Sequence, residues 1–189
     1  MTDNSLTLSL ARLPRALGST LHQDLVWVTP DDLGTPSMSA VPGVPLDVSA
    51  DFTSVEDGVL VQLATSVDLV GECVRCLDEV RDHHDVSSAE VYFEPGAPAL
   101  TSSDEEDEEA DDLFVIGERD TINIDTQLRD AIITLVDPLP LCSPDCAGLC
   151  DVCGDKWADL PADHEHFVVD PRLASLASLL DEHTEPGRS

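Results

Sequence analysis

Six cysteines and a pair of histidines are the residues of this 189-residue chain best suited to bind a metal ion. The thiols occur as two C-x-x-C pairs and one C-x-x-x-C pair, and an H-x-H segment follows them. In chain order these candidate ligands are Cys73, Cys76, Cys142, Cys146, Cys150, Cys153, His164 and His166. A C-x-x-C pair lets one tight turn direct two thiolates at one ion, and structural zinc takes four sulfur or imidazole ligands. The sequence therefore predicts one or two structural zinc ions.

The lengths of chain between the ligands suggest how they are divided between two sites. One site is local and uses Cys150, Cys153, His164 and His166. The other site then uses Cys73, Cys76, Cys142 and Cys146. This second site joins segments that lie far apart in the chain, and such a link restricts the unfolded state. An alternative division is a single site, within the Cys/His segment 142–166, made of Cys142, Cys146, Cys150 and Cys153.

Three catalytic uses of the thiols fit the sequence less well. A thioredoxin-like redox pair opens a helix after a strand, but no βαβ pattern surrounds Cys73. The C-x-x-x-C-x-x-C spacing from Cys146 to Cys153 matches radical enzymes that use S-adenosylmethionine, but too little chain follows for their large barrel. A hydrolytic zinc ion needs an open coordination position and a general base, and no H-E-x-x-H motif is present. We expect a protein that is not an enzyme, with a thiol redox or metal-handling protein as the alternative.

The chain carries 39 Asp and Glu against 9 Lys and Arg, and its formal net charge is −30. Eight of the nine residues in Asp104–Asp112 are acidic, which predicts a disordered insert over residues 101–112 because such a block repels itself. Nucleic-acid binding relies on Lys and Arg to displace counterions, so direct RNA binding is disfavoured. A basic protein partner is favoured, because opposite charges speed association.

The N-terminal residues contain no apolar core of the signal-peptide type, and no stretch of about 18 apolar residues occurs in the sequence. We therefore expect a cytoplasmic protein that makes no membrane contact. Thiols stay reduced in that compartment, which favours metal ligation over disulfides.

Strands are predicted in the first 95 residues, where short apolar runs alternate with turn residues. The predicted stretches are Leu25–Val28, Val41–Phe52, Gly58–Cys73, which contains one or two strands, and Glu90–Pro95. Helical periodicity follows in Asp125–Asp137, with Asp125 as the N-cap, and again in Asp170–Leu180. The predicted fold is α+β: an antiparallel sheet or partial barrel, two helices, and a Cys-rich zinc-binding C-terminal lobe, all in one domain over residues 1–189.

Three stretches carry a family resemblance: "GECVRCLDEV", "PLPLCSPDCAGLCDVCGDKWADLP" and "DPRLASLASLL". In this order, from about Gly58 to Leu180, they resemble the YceD family, also called DUF177, which is described as the large ribosomal RNA subunit accumulation protein. Arg75 and Arg172 match the family pattern. Many relatives carry a C-x-C pair where this chain has His164-Glu165-His166, and that resemblance supports the two histidines as ligands.

The resemblance implies a cytoplasmic, non-enzymatic factor needed for normal levels of large-subunit ribosomal RNA. It suggests a role in the synthesis, processing or early assembly of that RNA. Genes of the family often lie beside the gene for a small basic ribosomal protein of the large subunit. The expected partner is therefore a basic ribosomal protein or a precursor of the large subunit.

Overall fold

The computed structural model of the protein describes residues 6–101 and 113–166. Its strands are β1 (Thr7–Ser9), β2 (Thr20–Val28), β3 (Met38–Ala40), β4 (Pro45–Val55), β5 (Gly58–Glu72), β6 (Glu79–Phe93) and β7 (Thr121–Asn123). Its α-helices are α1 (Pro98–Thr101) and α2 (Asp125–Ile133). The chain divides into two compact units, residues 1–146 and 147–189.

A five-stranded antiparallel sheet forms the main part of the first unit. β4 lies between β2 and the first half of β5, and β3 pairs with the second half of β5. β6 pairs with the opposite edge of β5 along its full length. Among the described strands, β2, β3 and β6 each pair with one neighbour and are thus edge strands. β1 and β7 form a separate two-stranded antiparallel sheet.

The longest element is the hairpin of β5 and β6, which pair from Gly58↔Phe93 to Glu72↔Glu79. Gly58 is required at the open end, because a Cβ there would lie 2.0 Å from the carbonyl oxygen of Tyr92. Gly58–Glu72 is one strand of 15 residues, and the predicted strand at Glu90–Pro95 is the end of an equally long β6. The rest of β6 is too polar to stand out in the sequence, because most of its side chains are exposed.

The core lies on one face of the sheet. Buried and solvent-facing residues alternate along β4, and the buried ones include Leu46, Val48, Ala50 and Phe52. This is the pattern of a strand with one face on the core and the other in solvent. Trp27, Tyr92 and Phe52 are fully buried there. Helix α2 contributes Leu128 and Ile132 to the same core cluster.

Helix α2 begins where the sequence predicts it but is capped differently. Ile124, not Asp125, is the N-cap residue and makes no side-chain capping bond, whereas Oδ1 of Asn123 accepts a hydrogen bond from the N–H of Asp125 at 2.9 Å. The carboxylate of Asp125 instead accepts a hydrogen bond from the indole Nε1 of Trp27 at 2.9 Å. The helix ends at Ile133, before the predicted end at Asp137.

The described residues are mostly β, so the prediction of two helices is not matched there. α2 corresponds to the first of them, and the second, Asp170–Leu180, lies outside the described residues. Residues 102–112 of the predicted acidic insert also lie outside them. The single domain over residues 1–189 and the disorder of the insert stay predictions.

The described part of the second unit, residues 147–166, is short and consists mainly of turns. Leu149 and Lys156 form an isolated antiparallel bridge around the second C-x-x-C pair. A 3-10 helix, Trp157–Asp159, follows it. In the part of the chain described here, no helix is long and apolar enough to span a membrane.

Candidate metal centres

The turn that joins β5 to β6 contains the first C-x-x-C pair. The backbone N–H of Cys73 donates to the carbonyl of Asp78 at 2.7 Å, and the N–H of Leu77 donates to the carbonyl of Cys73 at 2.8 Å. Leu77 adopts a left-handed conformation with φ of 62°. This closed turn places the sulfurs of Cys73 and Cys76 within 4.8 Å of each other.

Two more thiols reach this turn from the segment after α2. The Sγ atoms of Cys73 and Cys146 are 3.8 Å apart, and those of Cys76 and Cys142 are 3.5 Å apart. We call these four residues the hairpin-tip cluster. Cys73 and Cys76 are buried, Cys146 is half-buried and Cys142 is exposed.

Two hydrogen bonds hold the hairpin tip against that segment. The backbone N–H of Val74 donates to the carbonyl of Pro140 at 3.0 Å. The guanidinium Nη1 of Arg75 donates to the carbonyl of Cys146 at 2.9 Å. Arg75 therefore positions a ligand-bearing segment.

The second C-x-x-C pair forms a turn with the same hydrogen-bond pattern. The N–H of Cys150 donates to the carbonyl of Asp155 at 2.7 Å, and the N–H of Gly154 donates to the carbonyl of Cys150 at 2.9 Å. Gly154 is left-handed, with φ of 77°. The two pairs are thus the same local structure built from different sequences.

His164 and His166 complete a second group, which we call the C-terminal cluster, with Cys150 and Cys153. The Sγ of Cys153 lies 3.6 Å from Nε2 of His164. All four ligand atoms lie within 4.8 Å of one another. The ring of Trp157 contacts His164 edge-on at a centroid distance of 5.4 Å. Sequence reasoning did not single out this tryptophan, although it lies in the family-like stretch "GDKWADLP".

Both clusters fit a tetrahedral metal ion. With a Zn–S bond of about 2.3 Å, tetrahedral geometry separates two sulfurs by about 3.8 Å, and a sulfur and an imidazole nitrogen by about 3.6 Å. The separations of 3.8, 3.5 and 3.6 Å are close to these values. A disulfide would require about 2.05 Å, and all six thiols are free. Each cluster could therefore hold one metal ion through four protein ligands.

In each C-x-x-C pair, hydrogen bonds from the turn lower the pKa of the first cysteine and so favour its thiolate form. Backbone N–H groups, first that of Cys142 and then those of Arg75 and Cys76, lower the pKa of Cys73 to about 6. The N–H groups of Cys153 and Val152 lower the pKa of Cys150 in the same way. Hydrogen bonds from the turn favour the charged form, which is the form that ligates metal.

The structure brings together every residue proposed as a ligand from the sequence. The grouping is the one expected from the lengths of chain between the ligands, with one local group and one group that joins distant segments. The alternative set of Cys142, Cys146, Cys150 and Cys153 is not a group of this kind among the described residues.

The remaining described histidines lie away from both clusters. Nδ1 of His22 is 2.8 Å from Asp51, and Nδ1 of His83 is 2.6 Å from Asp68, across neighbouring strands. These contacts give His22 a partner that the sequence did not suggest. His183 lies outside the described residues.

Comparisons with known proteins identify relatives of this chain. The chain is 33% identical over 180 residues to uncharacterized proteins of Mycobacterium tuberculosis and Mycobacterium bovis, covering 95% of this chain and 84% of theirs. An uncharacterized protein of Mycobacterium leprae is 31% identical over 138 residues, which are 73% of this chain and 60% of that protein. No solved structure matches. The family model for the large ribosomal RNA subunit accumulation protein YceD matches residues 61–180, and the chain belongs to this family.

Proposed function

We propose that this protein is a non-enzymatic factor in the accumulation of large-subunit ribosomal RNA, acting in the cytoplasm during processing or assembly. The observation that carries the proposal is membership of the YceD family over residues 61–180. That stretch contains the whole hairpin-tip cluster and all ligands of the C-terminal cluster. The metal-binding geometry and the family match therefore concern the same part of the chain.

The donor sets support structural zinc. Thiolate and imidazole ligands in a tetrahedron are the usual set for zinc. Each cluster supplies four protein ligands, so a bound ion would keep no open position for a water or a substrate. At the hairpin tip the ion would tie the end of the β5–β6 hairpin to residues 142–146. A small fold with few aromatic residues gains stability from such a link.

The charge supports a basic protein, or a precursor particle that presents one, as the partner. A net charge of −30 repels RNA phosphates and attracts the Lys- and Arg-rich segments of proteins. Contact with the particle through protein is therefore favoured over direct contact with RNA.

Deletion of the gene tests the proposed role. We expect the ratio of large-subunit to small-subunit ribosomal RNA to fall, and the tagged protein to co-purify with large-subunit precursors in a salt-sensitive manner. Expression of the Cys73→Ser/Cys142→Ser variant in the deletion strain should fail to restore the ratio. An unchanged ratio in the deletion strain, with no precursor in the purification, would overturn the proposal.

A thiol redox or metal-handling protein is the second candidate. The lowered pKa of Cys73, to about 6, favours it, because a thiolate is also the reactive form in redox exchange. Metal analysis and thiol titration separate the two functions. Stoichiometric zinc that resists chelators, with thiols that react only after denaturation, supports the structural role. Thiols that titrate rapidly in the folded protein and exchange with disulfides support the redox role.

A further inference from the structure

We propose that the face of the main sheet opposite the core binds a Lys- and Arg-rich segment of a protein partner, in a furrow lined by Asp24, Asp47, Ser49, Asp51, Ala64 and Ser87. We call this the outer-face furrow. The inference rests on the proposed function, because it says which surface of the acidic protein meets its basic partner.

Small side chains make the floor of the outer-face furrow. Ser49 of β4, Ala64 of β5 and Ser87 of β6 form one row across the sheet, since Ser49 pairs with Ala64 and Ala64 pairs with Ser87. Asp24 of β2 begins the same row opposite Ser49. Three interstrand spacings of about 4.8 Å make this row about 14 Å long. That length accommodates several residues of a bound segment.

The row runs along two shallow hollows of the surface. Two hollows, of about 400 and 390 Å³, share Ser49 and Ala64 as lining residues. Residues two positions away along the strands, such as Asp51 and Gln62, form one wall of the first hollow. Asp47 and the exposed Val26 line the second. A groove with a small-residue floor lets another backbone or a long aliphatic stem approach the sheet closely.

The walls of the furrow concentrate negative charge. Asp24 lies diagonally between Asp47 and Asp51 in the β2–β4 register, at a separation of about 7–8 Å from each. Like charges this close, within one Debye length, repel one another. Within the described residues no lysine or arginine lines either hollow. A cationic ligand relieves this repulsion, whereas an anionic one increases it.

One titratable base faces these carboxylates. Nδ1 of His22 lies 2.8 Å from Asp51, and Nε2 lies 3.3 Å from Asp24. The carboxylates of Asp24 and Asp51 are nevertheless 84% and 58% exposed, so their remaining oxygens are accessible to a partner. Asp47 is exposed as well. Lysine and arginine fit this arrangement, because their aliphatic stems cover small side chains while their charged ends reach the acids.

Binding of purified large-subunit precursor particles to the full-length protein tests the inference. We expect Asp24→Asn/Asp47→Asn/Asp51→Asn to weaken binding about ten-fold and to reduce its salt dependence, because interface charges act on association and its screening. The matched control, Asp31→Asn/Glu56→Gln/Asp57→Asn, removes three exposed acids outside the furrow. It should bind about two-fold or less more weakly than the unaltered protein. Thermal unfolding verifies that both variants are folded.

A second variant fills the floor without changing charge. Ala64→Gln should weaken binding, and Ala162→Gln, at an exposed position of the second unit, should not. A photo-cross-linker in place of Gln62, an exposed wall residue of the first hollow, should capture peptides rich in Lys and Arg.

The outcomes separate the two proposals. If the unaltered protein does not bind the particle, the proposed function fails. If it binds and both furrow variants bind equally well, the function stands and the furrow is overturned as its docking surface. Stronger binding after neutralisation, or cross-links to RNA alone, would likewise overturn a basic protein segment as the occupant.

Discussion

Leu77 and Gly154 adopt the same left-handed backbone conformation, with φ of 62° and 77°, one residue after the second cysteine of each C-x-x-C turn. In each turn the N–H at this position donates to the carbonyl of the first cysteine. Glycine occupies a left-handed conformation without steric cost, whereas leucine does not. The hairpin-tip turn therefore carries backbone strain that the second turn lacks.

Exchanging these residues should change stability by different amounts. Gly154→Leu should destabilise the protein by about 1–2 kcal/mol, the cost of a left-handed side-chain-bearing residue. Leu77→Gly should change stability by less than about 0.5 kcal/mol, because relief of that cost offsets the added freedom of the unfolded chain. The control Val74→Gly, in the same turn, gains only the added freedom and should cost about 0.5–1 kcal/mol. Urea unfolding of the metal-loaded protein measures the stability of all three variants. If Leu77→Gly lost as much stability as Val74→Gly, the inferred backbone strain at Leu77 would be contradicted.

Metal content should follow the two clusters independently. The unaltered protein should carry two ions per chain, one in each group of four ligands. Cys73→Ser and Cys153→Ser should each reduce this to one, and the double variant should carry none. Elemental analysis measures the content, with Ser143→Ala, which lies between two ligands, as the control.

Cys73→Ser also distinguishes this arrangement from a single site made of Cys142, Cys146, Cys150 and Cys153. In a single site Cys73 is not a ligand, so its replacement would leave the metal content unchanged. Loss of either ion should lower stability by several kcal/mol, since structural zinc supplies roughly 10–16 kcal/mol in small peptides.

The buried amide of Gln127 should be important for attaching α2 to the sheet. Its Nε2 donates to the carbonyl of Val61 at 3.1 Å and lies 2.9 Å from Oγ of Ser88, and the residue is 2% exposed. Gln127→Leu leaves the buried carbonyl of Val61 and the half-buried hydroxyl of Ser88 without this donor, so stability should fall by about 1–3 kcal/mol. The control Gln62→Leu, on the opposite face of the sheet, should stay within about 0.5 kcal/mol. Equal effects in chemical denaturation would show that the amide's hydrogen bonds contribute nothing specific.

Sequence reasoning identified the candidate ligands that the structure gathers into two groups, because their chemistry and spacing are local properties. It identified α2 because the apolar period is regular. It assigned the wrong role to Asp125, because the indole of Trp27 that uses its carboxylate is 98 residues away. It missed most of β6, because an edge strand with one solvent-exposed face needs few apolar residues. Contacts between distant polar groups, such as Gln127 with Ser88, leave no pattern that a single sequence reveals.

The contact between Trp27 and Asp125 makes a separate prediction. Trp27 is fully buried, so removal of its acceptor in Asp125→Ala should cost about 1–3 kcal/mol. Asp125→Asn keeps an acceptor oxygen but weakens the 3.1 Å contact with Arg129, so its cost should be smaller. Asp130→Ala, an exposed position on the same helix, is the control and should be nearly neutral. Trp27 fluorescence during unfolding reports the change, and equal losses for the alanine and asparagine variants would contradict a specific role of the hydrogen bond.

The two cross-strand histidine–aspartate pairs should make stability depend on pH. A hydrogen bond to Asp51 raises the pKa of His22, and one to Asp68 raises the pKa of His83. A pKa raised by folding contributes stability that is complete below the unfolded value of about 6.5 and is lost as pH rises through the folded value. His22→Gln/His83→Gln should therefore lower the melting temperature at pH 5.5 more than at pH 8.5. High salt should shrink the difference because both rings are exposed, and a loss independent of pH would assign the histidines a packing role instead.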